Sequence, residues 1–394
     1  MSYEMRREVL PKMRERYHKR NREGKGRIID ELEEVYGYSR KHAIKLMSLK
    51  AGRVLKKQKS GRPREYGEEE EKVLKVIWRV SEQPCGKRLK EMIGIWLPYY
   101  EKRYGKIKVA SRKKLLKISA SQIDRILSGV KVRWGKGRSG TKPGGLLKNQ
   151  IPIRTDNWDI KKPGYLEADT VAHCGNSLEG DFIWSVTYTD IYSGWTSNRA
   201  IWNKGSSGVL EATRDVEKKL PFELLGFDCD NGSEFLNYHL LRYFQEREKV
   251  VGFTRSRPYH KNDNGHVEQK NWSHVRQLLG YERLGNPELL EGINKLYKEV
   301  WEPLNNFFMP SSKLIKKDRH GAKIKRRHDK AMTPCDRLLE SPDVSASTKR
   351  KLRATRKYFD PFTLHDELEK NLQAIFKSSL HSSRLTGSLH FESF

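Results

Sequence analysis

Residues 164–202 read GYLEADTVAHCGNSLEGDFIWSVTYTDIYSGWTSNRAIW, and residues 224–235 read LLGFDCDNGSEF. In the first stretch, Tyr165–His173, Phe182–Ile191 and Thr196–Trp202 are rich in Val, Ile, Tyr, Trp and Thr, side chains that suit a pleated, half-buried surface. Short Gly-bearing turns separate them, so an antiparallel meander is expected. Beyond it, Val209–Leu220 has helical periodicity and Leu224–Cys229 is a short apolar strand. Glu234–Glu248 reads as a helix, Val250–Thr254 as a strand and Gly265–Leu279 as a long closing helix. The order βββαβαβα predicts a mixed sheet: a meander first, then strands that return through helical crossovers.

That order is the ribonuclease-H-like arrangement, and it gives meaning to three acids. Asp169 lies within the first strand, Asp230 just past the fourth, and Glu268 in the opening turns of the last helix. In this topology strands one and four are neighbours and the last helix crosses beside their ends, so the three carboxylates converge. Like charges brought together need a compensating cation. An all-oxygen donor set, with no Cys or His in the pattern, points to Mg²⁺ or Mn²⁺ rather than Zn²⁺. Asp190 is read as a turn residue. Glu167 and Asp228, each two positions from a proposed ligand on the same strand face, are read as supports for the ligands or as solvated acids. His260 is a loop histidine suited to a phosphate contact, and the His173-Cys174 pair is read as chance.

Outward from this block the composition changes. The chain has 394 residues and a formal net charge of +29. Residues 1–150 hold 41 Lys/Arg against 17 Asp/Glu, residues 151–300 hold 19 against 22, and residues 301–394 hold 19 against 11. Basic arms flanking a near-neutral centre imply a chain that grips nucleic acid with its ends. Four scattered cysteines without a C-x-x-C pair argue against a disulfide scaffold or a Cys-based zinc module, and for a reducing compartment. No apolar run approaches a membrane span, and residues 1–22 lack a secretory h-region, so no membrane partner is expected.

In the N-terminal arm, Ile28, Ile29, Leu32 and Val35, then Ala43, Ile44 and Met47, recur at helical spacing around a Tyr36-Gly37-Tyr38-Ser39 break. Two short helices about a Gly turn make a helix-turn-helix, whose second helix presents Arg40, Lys41, His42 and Lys45 to DNA. A plain helical hairpin with a solvated basic face fits the spacing equally; the charge context favours DNA. A second helical block runs from Glu68 to Val80 on an apolar face of Val73, Val76, Ile77 and Val80, resumes at Lys87–Ile93, and adds Gln122–Leu127 capped by Ser121. Gly135–Thr155 reads as a linker, whose Lys136, Arg138, Lys142 and Lys148 track a DNA backbone or merely solubilise a tether. Residues 287–308 form an amphipathic helix, Lys313–Lys330 is a dense basic run, and two further helices span 335–340 and 347–358. The Ser-rich tail from Ser378 is expected to be disordered.

Residues 160–310 resemble the catalytic core shared by retroviral integrases and DDE-type insertion-sequence transposases. Asp230-Asn231-Gly232 with Glu234-Phe235 resembles the family's D-N-G-x-E-F segment. Arg257-Pro258-Tyr259-His260 and Asn264-Gly265-His266-Val267-Glu268 resemble its R-P-Y-H and N-G-x-V-E segments, and 37 residues separate Asp230 from Glu268, close to the family spacing. There are departures. The His-His-Cys-Cys zinc module of retroviral integrases is missing, and the positions four and seven after the last acid, basic in retroviral enzymes, are Trp272 and Val275. Lys270 and Arg276 are the nearest basic substitutes.

The resemblance implies a multidomain α+β chain. Its parts would be a helix-turn-helix domain (1–60), a second helical domain (61–130), a basic linker (131–155), a ribonuclease-H-like catalytic core (156–308) and a basic C-terminal accessory domain (309–394). It implies a transposase that cleaves the ends of a mobile element and joins their 3′-OH groups to target DNA, using two Mg²⁺ or Mn²⁺ ions held by Asp169, Asp230 and Glu268. Arg257, His260 and Lys261 would contact DNA beside the acids. It further implies a homo-oligomer on double-stranded DNA, in a bacterial or archaeal cytoplasm and associated with the nucleoid. Two rivals share these features: a structure-selective nuclease of the same fold, and a domesticated helix-turn-helix regulator without activity.

Overall fold

The computed structural model describes residues 3–49, 65–130, 160–230, 232–256, 265–320 and 323–388. The chain divides into two compact units, Met1–Glu65 and Tyr66–Phe394. Lys136, Arg138 and Lys142 of the expected linker, and Arg257, His260 and Lys261, lie outside the described residues.

Among the described residues the first unit contains α1 (Tyr3–His18), α2 (Arg22–Tyr36) and α3 (Arg40–Met47). Asn21 caps α2 by accepting from the Gly24 N–H at 2.9 Å. The helix stops at Gly37, whose φ of 66° is a left-handed conformation open to glycine at little cost. Met13, Ile28, Ile29, Leu32, Ala43, Leu46 and Met47 form its core. Two residues expected on that face are not there: Val35 and Ile44 are exposed, while Leu46 is buried in the core. Arg14 Nε donates to the Leu46 carbonyl at 2.8 Å and ties α1, a helix the sequence did not announce, to the end of α3.

The second unit opens with α4 (Glu68–Val80), α5 (Gly86–Tyr104), α6 (Val109–Lys117) and α7 (Ala120–Leu127). The stretch 94–118 is mostly helix: α5 continues through Pro98 to Tyr104 and α6 follows. The last helix is capped by Ser119, which accepts from Gln122 N, and not by Ser121. On α4 the buried face is Val73, Leu74, Ile77 and Trp78, while Val76 and Val80 are only partly covered. Gly86 is required where α5 meets α7, since a Cβ there would stand 2.4 Å from the Ala120 carbonyl oxygen.

Next come β1 (Tyr165–Ala172), β2 (Ile183–Asp190), β3 (Thr196–Trp202), α8 (Ser206–Glu217), β4 (Gly226–Cys229), α9 (Tyr238–Gln245) and β5 (Gly252–Arg255). The five strands lie in the order β3-β2-β1-β4-β5. β1 pairs antiparallel with β2, and β2 with β3, whereas β1–β4 and β4–β5 are parallel. This is the meander followed by crossovers that the element order demanded. The expected helix from Glu234 begins only at Tyr238. Asn237 adopts an extended conformation, accepts from Leu240 N at 3.0 Å and donates to the Glu234 carbonyl at 2.6 Å, a cap that leaves residues 234–237 in turns.

The closing helix comprises α10 (Gly265–Lys270), a π-helical stretch Asn271–Arg276 and α11 (Gln277–Leu279). α12 (Leu289–Lys295), a second π-helical stretch Leu296–Trp301 and α13 (Glu302–Phe308) follow. The basic run 313–330 is a β-hairpin, β6 (Leu314–His320) with β7 (Lys323–His328). α14 (Pro334–Glu340), α15 (Ala346–Tyr358) and α16 (Pro361–Ser388) complete the chain, so the tail expected to be disordered from Ser378 is helical to Ser388.

Two apolar layers flank the sheet. Leu166, Val186, Tyr188 and Phe227 pack with Val209 and Val216 of α8 and Phe244 of α9. On the other side, Ile183 and Ala200 join Ile293, Tyr297, Trp301 and Phe308, and the same core takes in Trp96, Leu97 and Phe362. Trp96 donates its indole N–H to the Phe308 carbonyl at 2.9 Å, and Arg88 Nε reaches the Pro310 carbonyl at 2.8 Å. The described residues of 66–130, 160–308 and 309–388 therefore share one buried core within a single compact unit. Their amphipathic helices have apolar faces that only each other can cover.

Candidate active site

The site begins with strand register. The last parallel pair between β1 and β4 is Ala168 with Cys229, so the next step along both strands sets Asp169 against Asp230. Asp169 Oδ1 accepts from Thr170 N at 2.8 Å and Oδ2 from Asn271 Nδ2 at 2.6 Å. Asp230 Oδ1 accepts from Gly232 N at 2.9 Å. Burial raises the Asp169 carboxyl well above the ordinary range; Asp230 pushes it further, with Glu268 and Glu234 adding, against the Thr170 N–H. Asp230 is pushed up to about 6, by burial and by Glu234, against the Gly232 N–H and the Lys204 ammonium. Glu268, on α10, is exposed. The expected three acids are thus electrostatic neighbours.

Glu167 and Asp228 turn out to be braces. Glu167 is buried and Oε2 accepts from Val267 N at 3.2 Å, which pins the start of α10 to β1 and so sets where Glu268 stands. Asp228 Oδ1 accepts from Thr254 Oγ1 at 2.5 Å, joining β4 to β5. Asp190 closes a turn, as expected: it accepts from Gly164 N at 2.9 Å and from Ser193 N and Oγ at 2.7 and 2.6 Å. His173 is a core residue bonded to Ser185 Oγ at 2.8 Å, and burial pushes it down to about 3.

The two basic substitutes are committed elsewhere. Arg276 donates to the Ala172 carbonyl at 2.9 Å and lies over the Tyr281 ring at 4.8 Å, a staple between the π-helical stretch and β1. Lys270 contacts His274 Nε2 at 3.4 Å, and burial together with Arg88, Arg337 and Lys313 pushes it down to about 7. Trp272 is the half-exposed residue here, at 46%.

Three residues that sequence reasoning assigned no role also join the site. Glu234 is 0% exposed along its side chain and lies 2.9 Å from Lys204 Nζ. Thr170 Oγ1 donates to the same Oε1 at 2.9 Å. Lys204 in turn lies 5.0 Å above the Trp184 ring. Asn271 holds Asp169 from the π-helical stretch. Glu234 was legible as part of the D-N-G-x-E-F segment; Lys204 and Asn271 carried no local signal.

Among the described residues no group of three His, Cys, Asp or Glu side chains is gathered tightly enough to enclose an ion. The donor chemistry nevertheless fits a hard divalent cation: every candidate donor is a carboxylate, two of them repel each other, and Glu234 Oε2 is buried with no hydrogen-bond partner among the described residues.

In the first unit, Arg40 bonds Asp30 Oδ1 at 2.5 Å and Glu33 Oε2 at 2.9 Å, which commits it to joining α2 and α3. His42 packs edge-on against Tyr38 with ring centroids 5.0 Å apart, and Lys41 and Lys45 are exposed. No helix among the described residues is long and apolar enough to cross a membrane.

No family model matches the chain. It is 37% identical over 348 residues to the uncharacterized protein y4rM of Sinorhizobium fredii, covering 86% of this chain and 96% of that protein. Among solved structures it is similar to the catalytic core domain of BIV integrase, at 16% identity and a TM-score of 0.24 over 30% of this chain and 70% of that one. The HTLV-2 integrase catalytic core domain in complex with magnesium gives 17%, a TM-score of 0.28, and 38% and 90% coverage. A simian T-cell lymphotropic virus intasome in complex with PP2A regulatory subunit B56 gamma gives 16%, 0.27, and 46% and 59%. Scores this low add nothing to the strand order and site geometry already described.

Proposed function

For a chain that belongs to one family with the protein y4rM of Sinorhizobium fredii, we propose the function of a DNA transposase of the DDE type. The observation that carries this reading is that Asp169 and Asp230 each follow directly on the last parallel β1–β4 pair, Ala168 with Cys229, and are each raised by burial and by like charge, beside the helix that bears Glu268. Carboxylates held that way favour a bound cation over solitary ionisation. Asp169 and Asp230 would hold one Mg²⁺ or Mn²⁺, and Asp169 with Glu268 a second. The pair of ions supplies Lewis-acid activation of the attacking oxygen and neutralisation of the leaving 3′ oxygen.

The residues of the chain then divide the remaining work. Asn271 and the Thr170 N–H orient the Asp169 carboxylate, the Gly232 N–H orients Asp230, and Glu167 holds α10 in place. Water attacks the phosphodiester at the element's end and frees a 3′-OH. That hydroxyl attacks a target phosphodiester in the same site by direct transesterification, with no covalent link to the protein. Lys41, His42 and Lys45 on α3 read the ends, while Arg40 positions that helix; the basic arms contact phosphates. Two ends joined in one event call for a dimer or larger assembly.

The test uses supercoiled plasmid carrying the element's ends, with Mg²⁺ or Mn²⁺. Wild type should nick at the ends and join them to target DNA, whereas Asp169→Asn, Asp230→Asn and Glu268→Gln should each bind ends and do neither. Cleavage without joining would favour a structure-selective nuclease. End binding with no chemistry in wild type would favour a regulator.

A further inference from the structure

We propose that Glu234 is a fourth carboxylate of the cation site, presenting its Oε2 beside Asp230. This deepens the function proposed above and rests on it. The two oxygens of Glu234 have different surroundings. Oε1 accepts from Thr170 Oγ1 and pairs with Lys204 Nζ, each at 2.9 Å. Oε2 is buried and has no hydrogen-bond partner among the described residues. A buried carboxylate oxygen left without a donor carries most of its desolvation cost, and a protein keeps such an atom where something else satisfies it.

The place of the carboxyl group follows from Gly232. A Cβ on that residue would stand 2.4 Å from Oε2 and 2.5 Å from both Cδ and Oε1 of Glu234, so the side chain folds back over the Gly232 backbone. The Gly232 N–H donates to Asp230 Oδ1 at 2.9 Å, and the two carboxylates therefore meet at one residue. Glu234 is also the largest charge acting to keep Asp230 protonated, and it acts on Asp169 as well.

The position is built, not incidental. Phe235 and Leu236 are buried next to it, and Asn237 caps α9 while its Nδ2 donates to the Glu234 carbonyl at 2.6 Å. On the opposite side Asn203 takes a φ of 56°, which turns the chain out of β3 and brings Lys204 to Glu234. Among the described residues the Lys204 ammonium stands against the carboxylates of Asp169, Asp230, Glu234 and Glu268, a surplus of negative charge that a divalent ion offsets.

The competing account makes Glu234 an anchor for Thr170 and Lys204 only. Glu234→Gln separates the two, because the amide oxygen still accepts from both partners while the charge and the second anionic donor are lost. The measurement is Mn²⁺ binding to the chelator-treated full chain, by electron paramagnetic resonance of free Mn²⁺. We expect Glu234→Gln to weaken Mn²⁺ about tenfold to a hundredfold, in line with Asp230→Asn. Should circular dichroism show that Glu234→Gln misfolds, Glu234→Asp carries the test: its shorter side chain withdraws the donor, and a loss of the same order is expected. If Asp230→Asn weakens Mn²⁺ while the Glu234 variant binds as wild type does, the fourth carboxylate is refuted and the proposed function stands. Wild-type affinity in Asp230→Asn overturns the proposed function itself.

Discussion

Asp230→Asn should make the cation-free protein more stable while destroying the site. The carboxyl rises from an ordinary 3.8 to about 6, through burial first and Glu234 second. At about 1.4 kcal/mol per pH unit that rise corresponds to about 3 kcal/mol of strain in the ionised form. Water still reaches the partly exposed carboxyl, and the variant weakens the bond from Gly232 N–H, so a net gain on the order of 1–3 kcal/mol is expected. The sign with pH follows from the raised value. Below about pH 4 both folded and unfolded chains are protonated and the wild-type residue costs nothing; the cost grows as pH rises and is complete above about pH 6. The advantage of the variant should be full near pH 8 and roughly halved near pH 5. A divalent ion reverses the order, because at a thousandfold excess over Kd it adds about 4.1 kcal/mol to wild type and little to the variant. The assay is urea unfolding of the full chain, followed by tryptophan fluorescence, with chelator or with Mg²⁺ at each pH. A variant less stable than wild type in chelator near pH 8, or a gain that does not shrink towards acid, would refute the charge repulsion placed at this site.

Three further outcomes follow from other parts of the molecule. Asn271→Ala removes the bond to Asp169 Oδ2 and should lower strand cleavage about tenfold while raising the Mg²⁺ concentration needed for half-maximal rate; unchanged metal dependence would deny it an orienting role. Arg199 is 2% exposed and pairs with Asp215 at 2.5 Å and Glu302 at 3.1 Å, so Arg199→Met should cost about 3–5 kcal/mol near neutral pH. Burial already raises Glu302 and Arg199 opposes that rise, so the variant's deficit in urea melts should shrink as pH falls and Glu302 takes up a proton; a deficit independent of pH would count against this. The fragment 1–65 holds 20 Lys/Arg against 9 Asp/Glu and should fold alone and bind duplex DNA with a steep salt dependence, roughly 10³-fold between about 50 and 200 mM. Within it, Lys45→Ala should reduce preference for element ends more than binding to random duplex; equal losses on both would exclude base reading by α3.

Much of the sheet was legible because strands announce themselves locally. Runs rich in β-branched and aromatic residues marked β1, β2 and β3, and the bounds of β3 coincide with those read from sequence. Helix onsets were less readable: Glu234–Asn237 have helical composition, yet the Asn237 cap delays α9 to Tyr238. Asp169, Asp230 and Glu268 were nameable because element order alone dictates which strand ends meet.

What lay beyond the sequence depends on contacts between residues far apart along the chain. Basic composition could not foretell that residues 314–328 pair as a hairpin, nor serine content that α16 continues past Ser378. Composition offered borders at 61–130 and 309–394, but it could not foretell that the apolar faces of α5, α13 and α16 close on one another around Trp96, Phe308 and Phe362. Electrostatics divided in the same way. Sequence alone established a strongly basic chain with three separated acids. Only tertiary structure drew Arg40, Lys270 and Arg276 into structural contacts, and gathered Lys204, Glu234 and Asn271 about Asp169 and Asp230. Charge is a property of composition, but burial and hydrogen bonding, which decide what each charge can do, exist only once the chain has closed on itself.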